Sequence, residues 1–111
     1  NEDKRDEEGR VTLRQSFVIS PRRLLREWAP TAVSELEKKH LSAIAELNLE
    51  VLLVGTGKQL RFPAGEQLAA LVSLGIGYEV MDTPAACRTY NILAGEGRSV
   101  GAAIILDSES R

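Results

Sequence analysis

The sequence predicts an α/β domain with parallel β–α–β units in its C-terminal half, and three observations lead to this prediction. Apolar runs occur at residues 51–54, 78–81 and 100–106, close to glycines. Stretches with helical spacing of apolar residues separate them, which is typical of strands in a parallel sheet. The length of 111 residues suits one domain with one core. We therefore expect three adjacent, buried, parallel strands joined by right-handed connections.

The beginning of the chain predicts a tail followed by strand structure. Residues 1–10 mix charges of both signs without apolar spacing, which predicts a mobile charged tail and a single domain over residues 11–111. The β-branched and aromatic side chains between Val11 and Ile19 predict one strand or two short ones.

Two helices are predicted before the first parallel strand. Ser20-Pro21 has the form of a helix start, which predicts a short helical turn through Leu24, Leu25 and Trp28. Ser34 and Glu37 have capping-box spacing, and the apolar residues after them predict a helix over about residues 35–47.

The helices of the C-terminal half are marked by their ends. Leu68 to Leu74 predicts a helix that Gly75 terminates, because glycine readily adopts the left-handed conformation found after helices. Thr83-Pro84 predicts the cap of the next helix, which Gly95 and Gly97 close before the last strand.

Composition excludes several classes of function. The formal net charge of −2 lacks the basic surplus that nucleic-acid binding requires, so we expect no nucleic-acid partner. Cys87 and His40 are the only residues of their types, so we expect no disulfide, no metal site and no cofactor. The sequence contains no apolar run long enough to cross a membrane. We expect a soluble protein in the bacterial cytoplasm, or in mitochondria if a targeting peptide precedes Asn1.

The segment VLLVGTGKQL raises the possibility of phosphate binding, because closely spaced glycines after a strand can present backbone N–H groups to a phosphate. The spacing does not match. A dinucleotide-binding loop has a third glycine where this chain has Leu60, and the Gly-Lys-Ser/Thr ending of a P-loop is absent. We therefore interpret Gly55 and Gly57 as turn residues.

A polar cluster is predicted at the carboxyl end of the parallel strands, where α/β folds usually bind ligands. Asp82 and Thr83 follow one strand, and the glycine loop follows another. Thr83, Cys87 and Asn91 are four residues apart on the next helix, with Arg88 beside them. The candidate ligand or partner cleft consists of Gly55, Thr56, Gly57, Asp82, Thr83, Cys87, Arg88 and Asn91. The alternative is a structural role, with capping by Thr83 and local hydrogen bonds from Asp82 and Asn91.

No catalytic residue is assigned. Cys87 lies early in a helix, where the dipole can lower a thiol pKa, but no base is predicted beside it, so we interpret it as inert. A candidate partner surface comprises Arg22, Arg23, Arg26 and Trp28, because arginine and tryptophan are frequent at binding hot spots. Packing of the Trp28 ring on the core is the alternative.

The segments VLLVGTG and LGIGYEVMDTPAACRTYNILAGEGRSVGAAIIL resemble the Mth938-like domain family of unknown function, whose mitochondrial members include complex I assembly factor three. The likeness covers about residues 16–106, with SFVISP and the tryptophan before a proline matching more loosely. The residues that follow the family pattern are Gly55, Thr56, Gly57, Asp82, Thr83, Asn91, Glu96 and Arg98.

The resemblance implies a three-layer α/β fold with a mixed central sheet. It also implies a protein-interaction or assembly factor with a protein partner, possible association with a membrane complex, and no established enzymatic activity. A small-molecule-binding protein or enzyme that uses the cleft near Asp82 and Cys87 is the alternative function.

Overall fold

A computed structural model describes residues 4–5, 11–12, 15–26, 28–30 and 32–106. Within them the strands and helices follow one another in chain order. The strands are β1 (Lys4–Arg5), β2 (Val11–Thr12), β3 (Phe17–Ile19), β4 (Leu24–Leu25), β5 (Val51–Gly55), β6 (Gly77–Met81) and β7 (Val100–Ile104). The helices are α1 (Lys38–Ala45), α2 (Glu66–Val72) and α3 (Thr83–Gly95), with a 3₁₀ turn at Val33–Glu35 before α1.

The central sheet is mixed, in the order β4-β3-β7-β5-β6. β5 lies between β6 and β7 and is parallel to both, which confirms the predicted parallel units. β3 pairs antiparallel with both β7 and β4. The predicted tail falls mostly outside the described residues, but β1 within it pairs antiparallel with β2.

Helices cover both faces of this sheet, so the fold has three layers. Successive side chains of a strand point to opposite faces. Leu52 and Val54 of β5 accordingly pack in one buried cluster with residues of α1 and α2, whereas Leu53 packs in a second cluster with Ala86 of α3. β7 is buried along its whole length because it lies inside the sheet and is covered on both sides.

β6 corrects one expectation about burial. It is an edge strand, and its residues are exposed or half-buried, so it is not a buried strand like β5. Tyr78 and Val80 pack against the cluster beneath α1 and α2. An edge strand has one neighbour instead of two, which explains its greater exposure.

Residues Ser20 to Leu25 form a hairpin with β3 and not the predicted helical turn. The backbone N–H groups of Ser20 and Arg23 each donate to the other residue's carbonyl, over 2.8 and 3.3 Å, and Leu24–Leu25 then pairs with β3. The pattern RRLLREW suits a helix locally, but the pairing with β3 satisfies its backbone groups and overrides that preference.

The first long helix is shorter than the predicted range of about 35–47. Ser34 lies in the 3₁₀ turn, and Glu37 caps α1 in its place. The Glu37 backbone N–H donates to His40 Nδ1 over 3.1 Å, which completes a capping box in which histidine takes the usual position of Glu or Gln. α2 likewise ends at Val72, before the predicted Leu74.

Candidate functional site

The glycine loop and the start of α3 meet at the carboxyl end of the parallel strands, as the sequence predicts. The Thr83 N–H donates to the Gly57 carbonyl over 2.8 Å, and the Gly57 N–H donates to Thr83 Oγ1 over 2.8 Å. Gly57 has a φ of 106°, a conformation that favours glycine. These two reciprocal bonds attach the loop to the helix.

Thr56 holds the rest of the loop together from a buried position. Its N–H donates to the Met81 carbonyl over 2.9 Å, and its Oγ1 donates to the Gln59 carbonyl over 2.7 Å. The same oxygen accepts from the Arg61 N–H over 3.1 Å. The hydroxyl of Thr56 therefore both donates and accepts a hydrogen bond inside the loop.

Asp82, and not Thr83, caps α3. Asp82 Oδ1 accepts from the Ala85 N–H over 2.9 Å, while Thr83 is the first helical residue. Thr83 is released from capping because its hydroxyl accepts from Gly57 and also faces the Ile105 carbonyl at 3.4 Å. The prediction that Thr83 is the cap is thus wrong by one position.

These hydrogen bonds determine whether the backbone N–H groups of the cleft can bind a ligand. The backbone N–H groups of Thr56, Gly57, Thr83 and Ala85 all donate to protein atoms. A phosphate-binding loop keeps such N–H groups free for its ligand. The geometry therefore fits the structural interpretation of the glycines better than phosphate binding.

Asn91 of the predicted cleft is not brought to the loop. The packed side of α3 carries Ala86, Tyr90 and Leu93. Asn91 and Arg88 are exposed, and Asn91 lies about 12 Å beyond Thr83 along the helix axis, at 1.5 Å per residue. The structure gathers Gly55, Thr56, Gly57, Asp82 and Thr83, whereas Asn91 lies two turns of helix away from Thr83.

Cys87 reaches the surface of α3 as a free thiol. Desolvation by the surrounding protein raises the pKa of this thiol above its ordinary value. Activation by the helix dipole would shift the pKa in the opposite direction. The thiol is therefore less ionised at neutral pH than a free cysteine.

Trp28 belongs to the framework of the fold. Its ring is half-buried and packs on the core beneath α1 and α2. Nε1 donates to the His40 carbonyl over 2.9 Å, and the ring meets the His40 ring edge-on at a centroid distance of 6.3 Å. These contacts favour the packing interpretation of Trp28 over the binding one.

A second candidate site lies at the opposite end of the sheet. There three loops line an open groove of about 640 Å³, which we call the basic groove. The loops are the β3–β4 turn, the α1–β5 connection and the α3–β7 connection. The described lining residues are Ser20, Pro21, Arg22, Arg23, Glu46, Leu47, Asn48, Leu49, Ala94, Gly97, Arg98 and Ser99.

The basic groove joins two parts of the chain that the sequence did not connect. Arg22 and Arg23 were expected on a partner surface, and Arg98 follows the family pattern, but their proximity depends on the β3–β4 hairpin. Because β3 is antiparallel to β7, its end lies beside the start of β7. A hairpin prediction for residues 20–25 would have placed all three arginines at one end of the sheet.

The described residues contain neither a candidate membrane-spanning helix nor a candidate metal-binding cluster. No helix among them is long and apolar enough to cross a membrane. No group of three or more His, Cys, Asp or Glu side chains in the same part of the chain could hold a metal ion.

The fold and the two ends of its sheet define a small three-layer α/β domain with a mixed sheet. The chain belongs to the family described as protein of unknown function (DUF498/DUF598), whose profile matches residues 7–105. A solved Mth938-like domain from Bordetella pertussis is also similar to this chain, which confirms the resemblance to Mth938-like domains. That structure has a TM-score of 0.69 and 31% identity, and the alignment covers 84% of this chain and 74% of that one.

Three further proteins are similar to this chain over different lengths. A solved structure from Xanthomonas campestris has a TM-score of 0.76 and 40% identity over 95% of this chain and 78% of its own. The 13 kDa major membrane protein of Francisella tularensis is 34% identical over 73 residues, which are 66% of this chain and 59% of that protein. Human NADH dehydrogenase (ubiquinone) 1 alpha subcomplex assembly factor 3 is 44% identical over 62 residues, 56% of this chain and 34% of that protein. The chain thus spans less than two thirds of either relative.

Proposed function

We propose that this domain is a protein-interaction factor that assists the assembly of a larger complex and does not turn over a substrate. The observation that carries the proposal is the 44% identity to the human protein named as an assembly factor of NADH dehydrogenase. The internal hydrogen bonding of the glycine loop and the raised pKa of Cys87 support it, because the groups best placed for catalysis serve the fold or are poorly ionised.

The proposal assigns different roles to the two ends of the sheet. The end that carries Gly55, Thr56, Gly57, Asp82 and Thr83 holds the loop and helix in place. The end that carries Arg22 and Arg23 faces the partner. Arg26 interacts with other groups of the protein, and Trp28 packs on the core. The proposed partner surface therefore keeps Arg22 and Arg23 of the four residues expected from the sequence.

The proposal places the protein in the bacterial cytoplasm, where it meets a membrane-associated complex. The Francisella relative named as a membrane protein is consistent with such an association. Cell fractionation tests it: we expect the protein in the soluble fraction, with a portion recovered on membranes only when its partner is present. Membrane recovery that is independent of any partner would contradict this placement.

The experiment that tests the function replaces the chromosomal copy in the native host with a tagged chain and with its Cys87→Ser variant. We expect both to co-purify with the same partner in near-stoichiometric amount after cross-linking, and both to support the same cellular phenotype. Because serine keeps the size of cysteine but lacks its nucleophilicity, a folded Cys87→Ser protein that retains the partner and loses the phenotype would favour the enzyme alternative. Recovery without a stoichiometric partner would contradict an assembly role.

A further inference from the structure

The basic groove has walls that are held in place by hydrogen bonds between two of its loops and within the third. The Ser99 hydroxyl donates to the Asn48 carbonyl over 3.0 Å, and the Glu50 N–H donates to the Ser99 carbonyl over 2.8 Å. The β3–β4 turn is closed by its own two backbone bonds. A ligand entering the groove therefore meets a prearranged surface, and little ordering of loops opposes binding.

The end of α3 positions the third arginine. Gly97 has a φ of 80°, and the N–H groups of Gly97 and Arg98 donate to the carbonyls of Ala94 and Leu93 over 3.0 and 3.1 Å. This is a Schellman motif, which turns the chain sharply after the helix. The Arg98 side chain then meets Glu50, with 2.7 Å between Nε and Oε1.

The three arginines of the basic groove differ in whether their side chains are already paired within the protein. Glu50 raises the pKa of Arg98, first through the hydrogen bond and then through its charge, so Arg98 is already paired. Arg22 and Arg23 are exposed, and the guanidinium group of neither makes a hydrogen bond or ion pair within the part of the chain that the structure describes. Two guanidinium groups are therefore free for a ligand in a chain whose formal net charge is −2.

The remaining lining residues favour a peptide over a polyphosphate. Pro21, Leu47 and Leu49 give the groove an apolar part, and Glu46 is the one acidic side chain among its described lining residues. A nucleic-acid backbone carries closely spaced negative charges along its whole length, so one of them would face Glu46, whereas a peptide can place an uncharged residue there. A peptide can direct carboxylates to the arginines and place aliphatic groups on the leucines. The volume of about 640 Å³ lies within the usual size of ligand sites.

We propose that the basic groove binds an acidic, extended segment of a partner protein, with Arg22 and Arg23 pairing its carboxylates and Leu47 contacting its aliphatic groups. Guanidinium groups are suited to this task because they bind carboxylates through two parallel hydrogen bonds. The inference rests on the proposed function, since it names the chemistry of the partner.

The experiment measures binding of a fluorescein-labelled peptide of about ten residues, rich in glutamate and leucine, by fluorescence anisotropy with the full chain. We expect measurable binding that weakens as salt is raised, because exposed charges are screened. The double variant Arg22→Glu with Arg23→Glu should weaken binding by about tenfold or more, since carboxylates repel the peptide at the same place. A matching peptide with lysine in place of glutamate should not bind.

The matched control is the double variant Lys38→Glu with Lys58→Glu, which changes the net charge by the same amount at two exposed positions outside the groove. Circular dichroism checks that both variants are folded. We expect the control to bind the acidic peptide as the parent protein does, within about twofold.

Several outcomes would overturn the inference. These are the absence of binding by the acidic peptide, equal weakening in both double variants, tighter binding of single-stranded DNA than of the peptide, and full displacement of the peptide by millimolar inorganic phosphate. If the peptide experiment fails but the tagged chain captures a stoichiometric partner, the groove is not the partner-binding site and the proposed assembly function is retained. Failure of the capture experiment would reject the function itself.

Discussion

Gly55 lies where β5 closely approaches the start of α3. A Cβ atom at this position would lie 3.0 Å from Thr83 Oγ1 and 3.0 Å from Ile104 Cδ1, and 3.1 Å from the Cβ atom of Ala86. Thr83 cannot move away easily, because its hydroxyl holds the Gly57 N–H. The glycine is therefore required by space and not by its φ angle.

Replacing Gly55 by alanine should lower the free energy of unfolding by about 1–3 kcal/mol, because the added methyl group forces the helix and strand apart. Urea denaturation monitored by circular dichroism measures the loss. Gly95→Ala is the control, since a Cβ atom there meets nothing within 4 Å and alanine favours a helix over glycine. Equal stability of the Gly55→Ala and parent proteins would show that this close approach is not required.

Cys87 gives a prediction about pH. Desolvation raises the pKa of its thiol, so the fraction of reactive thiolate at a given pH is smaller than in a free cysteine. The rate of alkylation by iodoacetamide should therefore reach its half-maximum at a higher pH than the rate for N-acetylcysteine measured alongside. Cys87→Ser controls for reaction elsewhere, and a half-maximum below that of N-acetylcysteine would contradict the inert interpretation.

At the scale of elements, α3 shows how both ends of a helix can place neighbouring groups. The N-terminal cap by Asp82 leaves Thr83 free to hold the glycine loop. The C-terminal Schellman motif directs Arg98 to Glu50. The two ends of α3 thus organise the two ends of the sheet.

Gly97→Ala tests the C-terminal end. A left-handed conformation is unfavourable for residues with a Cβ atom, so we expect a loss of about 1–2 kcal/mol of unfolding free energy in urea denaturation. Gly77→Ala is a suitable comparison, because no positive φ is found there and its Cβ atom would have ordinary contact with the Glu50 carbonyl at 3.6 Å. A larger loss at Gly77 than at Gly97 would contradict the assigned role of the turn.

The elements that were predicted correctly are those whose signals are local. The apolar runs at β5 and β7 and the glycines after α2 and α3 are visible in the sequence because burial and helix termination select those residue types. β4 was missed because two leucines pair with β3 only in the folded protein. The start of α1 was misplaced because Ser34 and Glu37 can both cap a helix.

The meeting of the glycine loop with the start of α3 could be expected from the sequence for a related reason. The carboxyl ends of adjacent parallel strands meet at one edge, so the proximity of Gly57 and Thr83 follows from topology. Asn91 shares a helical side with Thr83 in projection, but two turns of helix separate them. The basic groove could not be predicted because it depends on an antiparallel pairing between distant segments.

At the scale of the whole molecule, burial is concentrated in the middle of the sheet. β5 and β7 have a strand on each side and a helical layer on each face, and Leu52, Val54 and Ile104 are almost completely buried. β6 and β4 form the edges of this sheet. The most stable hydrogen bonds should therefore belong to β5 and β7, and opening should begin at the edges.

Native-state hydrogen exchange followed by NMR tests this order. The amides of Leu52 to Val54 and of Ala102 to Ile104 should exchange only through global unfolding, because no smaller opening exposes them to water. In β6, successive N–H groups point alternately toward β5 and away from the sheet. The N–H groups that point toward β5 are hydrogen-bonded and should be protected, whereas those that point outward should exchange at least about a hundredfold faster. The hairpin at Ser20 to Leu25 should show intermediate protection, since it pairs with a single strand. The contrary result would be that the outward-facing amides of β6 exchange as slowly as the amides of β5. The free edge of β6 would then be covered by another chain in solution.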